Sequence, residues 1–351
     1  MHFASHVLLA IILHFRHGEL TMLRNYQLLL IGAIALASTL ASSPAALSLP
    51  HAKLDCDLGR ELNLPVTEWV DDTSPKSDKG IIVAVHGLTL YAGAFDDVAR
   101  HLVSIGYKVY ALDMRGFGRW CQEGPKYGGD KEIHVGESQT DLLRLVQTIR
   151  GDNPQGKLFF LGESQGTNLS MWVIENHPGL TDGAILVSPC YHTRVHPTFR
   201  WLVDASHEIF TPTKPLNLEP YTRPYLTNDP VLTEKCDKDP LVNREMTPTE
   251  LVKCLLENRH AIKNASRIPA RYPILMLAGT KDGVFKSKGL PKEVKKFGDA
   301  KSIELTLLPG KGHLLIEHQP LNQEIAALMD NWLAEQTQAN ESKLSNQGSV
   351  E

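Results

Sequence analysis

The stretch whose reading decides the fold is LGESQGTNLS, Leu161 to Ser170. Its inner residues, Gly162-Glu163-Ser164-Gln165-Gly166, fit the pattern G-x-S-x-G. Alone the pattern is weak, since chance produces it in roughly one chain in ten of this length. Its flanks carry more weight. KLFFLG before it reads as a buried strand, and QGTNLSMWVIENHPG after it reads as a helix closed at His177-Pro178-Gly179. Strand, tight turn and helix are the setting of a nucleophile elbow. Glycines two before and two after the serine remove Cβ atoms that would collide with neighbouring backbone. The serine hydroxyl is then exposed beside the positive end of a helix. Ser164 is therefore a candidate nucleophile, set against the plainer reading of an ordinary serine between glycines.

Working outward, short apolar runs alternate with amphipathic helices. GIIVAVHG (Gly80–Gly87) reads as a parallel strand, and FDDVARHLVSIG places Val98, Leu102 and Ile105 on one helical face. YKVYALD is the next strand, then a helix with Leu142, Leu145, Val146 and Ile149 as its stripe, then KLFFLG, the helix after Ser164, and the strand GAILVSP. From Cys190 to about Ile268 the alternation breaks into a Pro- and Tyr-rich stretch with helical pattern and no clean strand. It resumes with YPILMLAG, PKEVKKFG, SIELTLLPG and a last helix, QPLNQEIAALMDNWLAEQ. This order predicts an α/β fold, a mostly parallel sheet with helices on both faces. The insertion would sit at the carboxyl edge of the sheet, where active sites of open α/β folds lie. The expected organisation is an N-terminal extension over 1–49, a core over 50–189, a cap insertion over 190–268, the rest of the core over 269–337, and a disordered tail over 338–351.

Composition agrees with a globular protein: 351 residues, 42% hydrophobic and 22% charged. A net charge of -4 with no basic stripe argues against nucleic acid as a partner. Near the N-terminus, LLLIGAIALASTLA (Leu28–Ala41) follows Arg24 and precedes Ser43-Pro44-Ala45, the order of a secretory signal peptide. Export, periplasmic or secreted, is the expectation, with an uncleaved membrane anchor as the alternative. Met22 competes with Met1 as the true start. His2, His6, His14 and His17 have no thiol and only Glu19 as an acidic companion, so no metal site is expected there. The cysteines are Cys56, Cys121, Cys190, Cys236 and Cys254, without C-x-x-C spacing. Free thiols are the default, and a Cys236–Cys254 bridge is compatible with export.

A serine needs a base to take its proton, and on this fold the base is a histidine after the final strand. His313, in LLPGKGHLLIEH, fits; His318 reads as a surface or supporting residue. The histidine needs a carboxylate, placed between serine and histidine in chain order. Asp282, in TKDGVF, follows the strand ILMLAG, whereas Asp299 reads as a solvated turn residue. The oxyanion hole would use the backbone N–H groups of Gln165 and of Leu88, in the loop after VAVHG. His86 reads as a loop-shaping hydrogen bonder rather than a base. No metal and no organic cofactor is required.

Together, HGLTLYAGAFDDVARHLVSIGYKVYALDMRGFG, GESQG, GTKDGVF and GKGH resemble the α/β-hydrolases, in particular the monoacylglycerol lipase and lysophospholipase branch, over most of residues 80–335. LTNDPVLTEKCDKDPLV resembles the cap segment of that branch. The resemblance implies ester hydrolysis through an acyl-enzyme, with a mobile cap over the acyl chain and transient contact with a membrane surface. It carries functional roles to Ser164, Asp282, His313 and the N–H groups of Leu88 and Gln165. The chain departs from the branch at Glu163 and Gln165, where histidine and methionine are usual, and at Trp120, where a serine is usual. Glu163 has three readings: solvated, tuning the histidine, or disfavouring anionic lipids. Phe199, Trp201, Phe210, Tyr221 and Tyr225 either line an acyl tunnel or pack the cap core. The rival readings are a small-ester hydrolase or peptidase with the same triad, and a binding protein on a hydrolase scaffold, which the intact triad disfavours.

Overall fold

The computed structural model describes residues 49–73, 79–191, 214–227, 229–297 and 302–347. The leader, the start-codon question, Asp299 and the aromatics Phe199, Trp201 and Phe210 lie outside these residues, as does the side chain of Tyr221.

Ten strands occur among the described residues: β1 His51–Lys53, β2 Val66–Val70, β3 Gly80–Val85, β4 Tyr107–Leu112, β5 Leu158–Glu163, β6 Gly183–Val187, β7 Leu216–Asn217, β8 Glu245–Met246, β9 Ile274–Gly279 and β10 Ile303–Leu308. Eight form one sheet in the order β1-β2-β4-β3-β5-β6-β9-β10. β1–β2 and β2–β4 pair antiparallel, and the other neighbours pair parallel. The parallel strands are the predicted apolar runs, each ending within a few residues of the expected point. β1 and β2 were not legible as strands: β1 has three residues, and VTEWV interrupts its apolar positions with Thr67 and Glu68.

The helices are α1 Asp57–Leu62, α2 Asp96–Ser104, α3 Arg119–Glu123, α4 Val135–Asp152, α5 Gln165–Asn176, α6 Glu219–Leu226, α7 Pro230–Lys238, α8 Pro248–Asn264, α9 Leu290–Val294 and α10 Gln323–Gln347. Two cores flank the sheet because successive strand side chains point to opposite faces. On one face α2 and α10 lay Val98, Leu102, Met329 and Trp332 against Phe159, Leu161 and Ile185. On the other, α4 and α5 lay Leu142, Leu145, Leu169 and Val173 against Val83, Phe160 and Leu186. The predicted stripe of α4 is buried throughout. Among the described residues, no helix is long and apolar enough to cross a membrane.

Two features were not expected. The final helix runs past Gln336 to Gln347. Residues 337–347 hold neither glycine nor proline, and the first breaker is Gly348. The insertion also holds strand pairing, a two-residue ribbon of β7 with β8, too short for any alternation to show in sequence. The described cysteines are all free thiols, Cys236 and Cys254 included.

The insertion leaves the sheet after β6 and returns at β9, and these two strands pair directly. Its described part, α6 through α8, hydrogen-bonds to several core loops. Asn243 donates its N–H to the Thr89 carbonyl at 2.9 Å and its side chain to the Gly116 carbonyl at 2.7 Å. Tyr91 donates to Asp239 at 2.7 Å, and Leu314 donates its N–H to the Leu226 carbonyl at 3.1 Å. α8 opens on a capping box between Thr247 and Glu250, and Glu250 also accepts the N–H of Ile133 at 2.8 Å.

Candidate active site

Ser164 stands between β5 and α5 with φ 49° and ψ -116°, a left-handed backbone that a non-glycine residue adopts only under constraint. The two motif glycines supply the constraint. A Cβ on Gly166 would overlap the carbonyl of Val85 in β3, and one on Gly162 would lie 2.9 Å from the Gly166 carbonyl oxygen. α5 thus packs directly onto the sheet and forces the turn. The Ser164 N–H remains tied to the Val187 carbonyl at 2.9 Å.

His313 follows β10, and its Nε2 lies 3.0 Å from the Ser164 hydroxyl. Its Nδ1 lies 2.9 Å from Asp282 Oδ2. Asp282 follows β9; its other oxygen accepts the N–H groups of Val284 at 2.7 Å and Phe285 at 2.9 Å. With one oxygen spent on the loop, the other is aimed at the ring. The carboxylate fixes the proton on Nδ1 and leaves Nε2 as the acceptor for the serine hydroxyl. All three residues are buried. Ser188, on the loop after β6, donates to the His313 carbonyl at 2.5 Å and holds the loop from the far side.

Gln165 begins α5 and Leu88 lies in the loop after β3, as the sequence suggested. Among the described backbone hydrogen bonds outside helices and strands, none uses the N–H of Leu88 or of Gln165. Gly87 touches the elbow: a Cβ there would lie 2.9 Å from Ser164 Cβ. That contact sets the backbone leading into Leu88 beside the serine. His86 braces the same loop. Burial holds its ring pKa below the usual histidine value, so the ring is neutral. Its Nδ1–H donates to the Gly87 carbonyl at 2.8 Å, and its Nε2 accepts the Met114 N–H at 2.9 Å.

His318 sits away from the serine, with Nδ1 3.0 Å from Asp229 of the cap and Nε2 3.2 Å from the Leu314 carbonyl. Trp120 is fully buried with the Arg115 guanidinium 4.5 Å from its ring, so it fills core where the branch usually has a serine.

Two neighbours were not legible beforehand. Cys190 Sγ lies 3.6 Å from Ser164 Oγ, and burial pushes its thiol well up, away from thiolate. Glu317 is buried close to Glu163, with Oε2 accepting the Ile316 N–H at 2.9 Å. Glu163 is not solvated: it is 1% exposed. Burial holds its carboxyl well above the usual range, the Glu317 charge adds to this, the Gly87 N–H opposes it and the Asp282 charge adds again.

A mostly parallel eight-stranded sheet, an elbow serine and a histidine–carboxylate pair on the following carboxyl-edge loops define an α/β-hydrolase. The chain belongs to the serine aminopeptidase S33 family, whose model matches residues 76–319. It is similar to the monoacylglycerol lipase of Mycolicibacterium smegmatis, 25% identical over 271 residues, covering 76% of this chain and 90% of that one. It is also similar to the monoglyceride lipase of Homo sapiens, 25% identical over 276 residues, with 77% and 86% covered. The solved monoacylglycerol lipase of Paleococcus ferrophilus shares the fold at a TM-score of 0.62 and 22% identity, covering 78% of this chain and 99% of that one. A soluble variant of the monoglyceride lipase from Saccharomyces cerevisiae does so at 0.67 and 16%, with 84% and 99% covered.

Proposed function

We propose that the chain is a serine carboxylic-ester hydrolase acting on monoacyl lipids, monoacylglycerols or lysophospholipids, through an acyl-enzyme. The observation that carries this is the hydrogen-bonded run from Ser164 through His313 to Asp282, at 3.0 and 2.9 Å. Ser164 Oγ attacks the ester carbonyl while its proton passes to His313 Nε2. Asp282 keeps the ring oriented and steadies the imidazolium. The N–H groups of Leu88 and Gln165 receive the developing oxyanion. The imidazolium returns the proton to the alcohol leaving group, and water, activated by the same ring, releases the fatty acid.

The lipid substrate is supported by the names of the relatives and by a cleft between core and cap. That cleft is lined by Leu90, Leu218, Leu226, Val242 and Leu314, with Arg223 and Arg244 among its polar residues. Transient membrane contact through the cap is supported by α8, whose Val252, Leu255 and Leu256 are exposed. Arg259 and Lys263 continue the same helical face. Export remains the reading of the N-terminal leader.

The test is hydrolysis across a series of monoacylglycerols, lysophospholipids and p-nitrophenyl esters by the full chain and S164A, with fluorophosphonate labelling of both. Monoacyl lipid turnover that S164A abolishes, together with labelling at Ser164, is expected. Retained ester hydrolysis in S164A would sink the reading. The family's peptidase description favours one alternative, an aminopeptidase-like or small-ester hydrolase with the same triad. Faster cleavage of aminoacyl amides than of long-chain esters would select it.

A further inference from the structure

One side of α8 seats it on the core. Cys254 is buried, Glu257 accepts the Gln139 side chain at 3.0 Å, and Asn258 accepts that of Asn168. Val252, Leu256, Arg259 and Lys263 recur at helical spacing on the opposite side, which is apolar in its first half and basic in its second. At the basic end an open cleft is lined by Arg259, Lys263, Ser266 and Lys296, all of them exposed. The first three belong to α8 and the turn after it, and Lys296 follows α9. Lys296 is paired with Glu293 at 2.6 Å, whereas Arg259 and Lys263 have no ion-pair partner among the described residues. Nearby acids do not supply one. Glu250, Glu257, Asp282 and Glu293, the acids of residues 248–297, are buried or half-buried, and each accepts a hydrogen bond within the fold. Every lysine and arginine of that span is exposed, so a chain of net charge -4 carries a basic island here. Attraction to the last carbonyls of α8 accounts for Lys263. It does not account for Lys296, which arrives from another element, nor for the lack of an exposed acid.

We propose that this cleft is a binding site for the phosphate of an anionic phospholipid in a bilayer, and that it anchors the cap on membranes of negative surface charge. The proposal rests on the reading of α8 as the membrane-facing helix and adds the lipid class that holds it there. A guanidinium fork, an ammonium and a hydroxyl are the donors a phosphodiester takes. Arg259 and Lys263 supply the net charge, since Lys296 already answers Glu293. The occupant is a lipid rather than free phosphate because the cations adjoin exposed apolar side chains on one continuous face. Leu255 and Leu256 precede Arg259 and Lys263 by about 5 to 12 Å along the helix axis. A helix lying in the interface therefore sinks its apolar half while its basic half meets the phosphate layer. Through Asn258 and Asn168 the anchored helix is tied to the first turn of α5, beside the nucleophile.

The experiment is co-sedimentation of the full chain with phosphatidylcholine vesicles, with and without phosphatidylglycerol, at about 0.1 M salt, where exposed charges act over about 10 Å. The protein is expected to prefer the vesicles that contain phosphatidylglycerol. R259Q/K263Q should bind those vesicles about 30-fold more weakly and phosphatidylcholine alone as before. K288Q/K292Q removes the same charge from exposed lysines outside the cleft and should cost about threefold or less. None of these four side chains is buried or paired, so Tm should stay unchanged and report intact folding. Equal binding to both vesicle types, or an equal loss in K288Q/K292Q, overturns the proposal. A saturable rise in Tm with inorganic phosphate that R259Q/K263Q abolishes, without any vesicle preference, overturns the lipid assignment in favour of a free anion. L255S/L256S should lose binding to both vesicle types. Undiminished binding in that variant would instead overturn the membrane reading of α8, so the two failures are distinguishable.

Discussion

The ring of His86 accepts the backbone N–H of Met114 at 2.9 Å, joining the loop after β3 to the end of β4. Asp113, one residue earlier, accepts the Ala92 N–H at 2.8 Å and both the N–H and Nε of Arg119. Residues 86 to 92 are thus held at both ends by the same strand end. Since Leu88 lies within that span, His86→Ala is expected to lower kcat by about 10- to 100-fold through a loosened oxyanion donor. KM should change much less. Steady-state kinetics with a single ester substrate checks the split.

Gly166 leaves no room for a side chain against the Val85 carbonyl. The obstacle is backbone of a central strand, which cannot move aside as a flexible side chain could. Gly166→Ala should therefore destabilise the fold by about 3 kcal/mol or more, beyond an ordinary surface exchange. Urea denaturation, compared with Gly136→Ala on the open side of α4, provides the measurement.

Glu175, late in α5, is largely enclosed, and one of its oxygens has no partner. Burial pushes its carboxyl up to about 8, with Arg267 opposing. The folded-state value lies above the unfolded one, so the folded protein holds this proton more tightly. Its contribution to stability is present in full below the unfolded value and is lost as pH rises towards 8. Glu175→Gln should accordingly raise Tm by about 3 °C at alkaline pH and by much less at pH near 4. Thermal melts at both ends of the range test this; equal shifts would contradict it.

His318 and Asp229 meet at 3.0 Å between the loop after β10 and the cap. Burial alone would raise the Asp229 carboxyl, but the N–H groups of Val231 and Leu232 and the His318 ring hold it below its usual value. The pair is partly exposed and is worth about 1 kcal/mol at most. His318→Ala should leave short-ester turnover nearly intact and speed protease cleavage within 214–268. Timed limited proteolysis is the check.

The parallel strands and their helices were legible because each buries an apolar set with a clear period: Val83 and Phe160 on one face, Leu161 and Ile185 on the other. The candidate site was legible because elbow, acid and base each follow a strand end in fixed chain order. Cys190 and Glu317 carried no such signal. Each owes its place to how separate loops converge on Ser164, which no local pattern encodes. β2 escaped for a related reason: Thr67 and Glu68 are buried by tertiary packing, Thr67 accepting Arg119 at 3.0 Å. The end of α10 was not legible because residues 337–347 are polar and hold no apolar stripe, although no helix breaker interrupts them.

The departure of the cap after β6 and its return at β9 has a consequence for how such a protein can change. The two strands lie side by side and parallel, so the excursion is also the crossover that carries the chain from the carboxyl edge of β6 to the amino edge of β9. Its outer part can change length without touching strand order or register, but Met246, Cys254 and Ile268 belong to the core that α4 and α5 cover and must be kept or matched. Ser164, Asp282 and His313 all sit on elements outside it. Selection can therefore vary the outer face of the excursion while its core positions and the loops of the triad stay as they are, and a foreign cap grafted between β6 and β9 must bring matching core side chains.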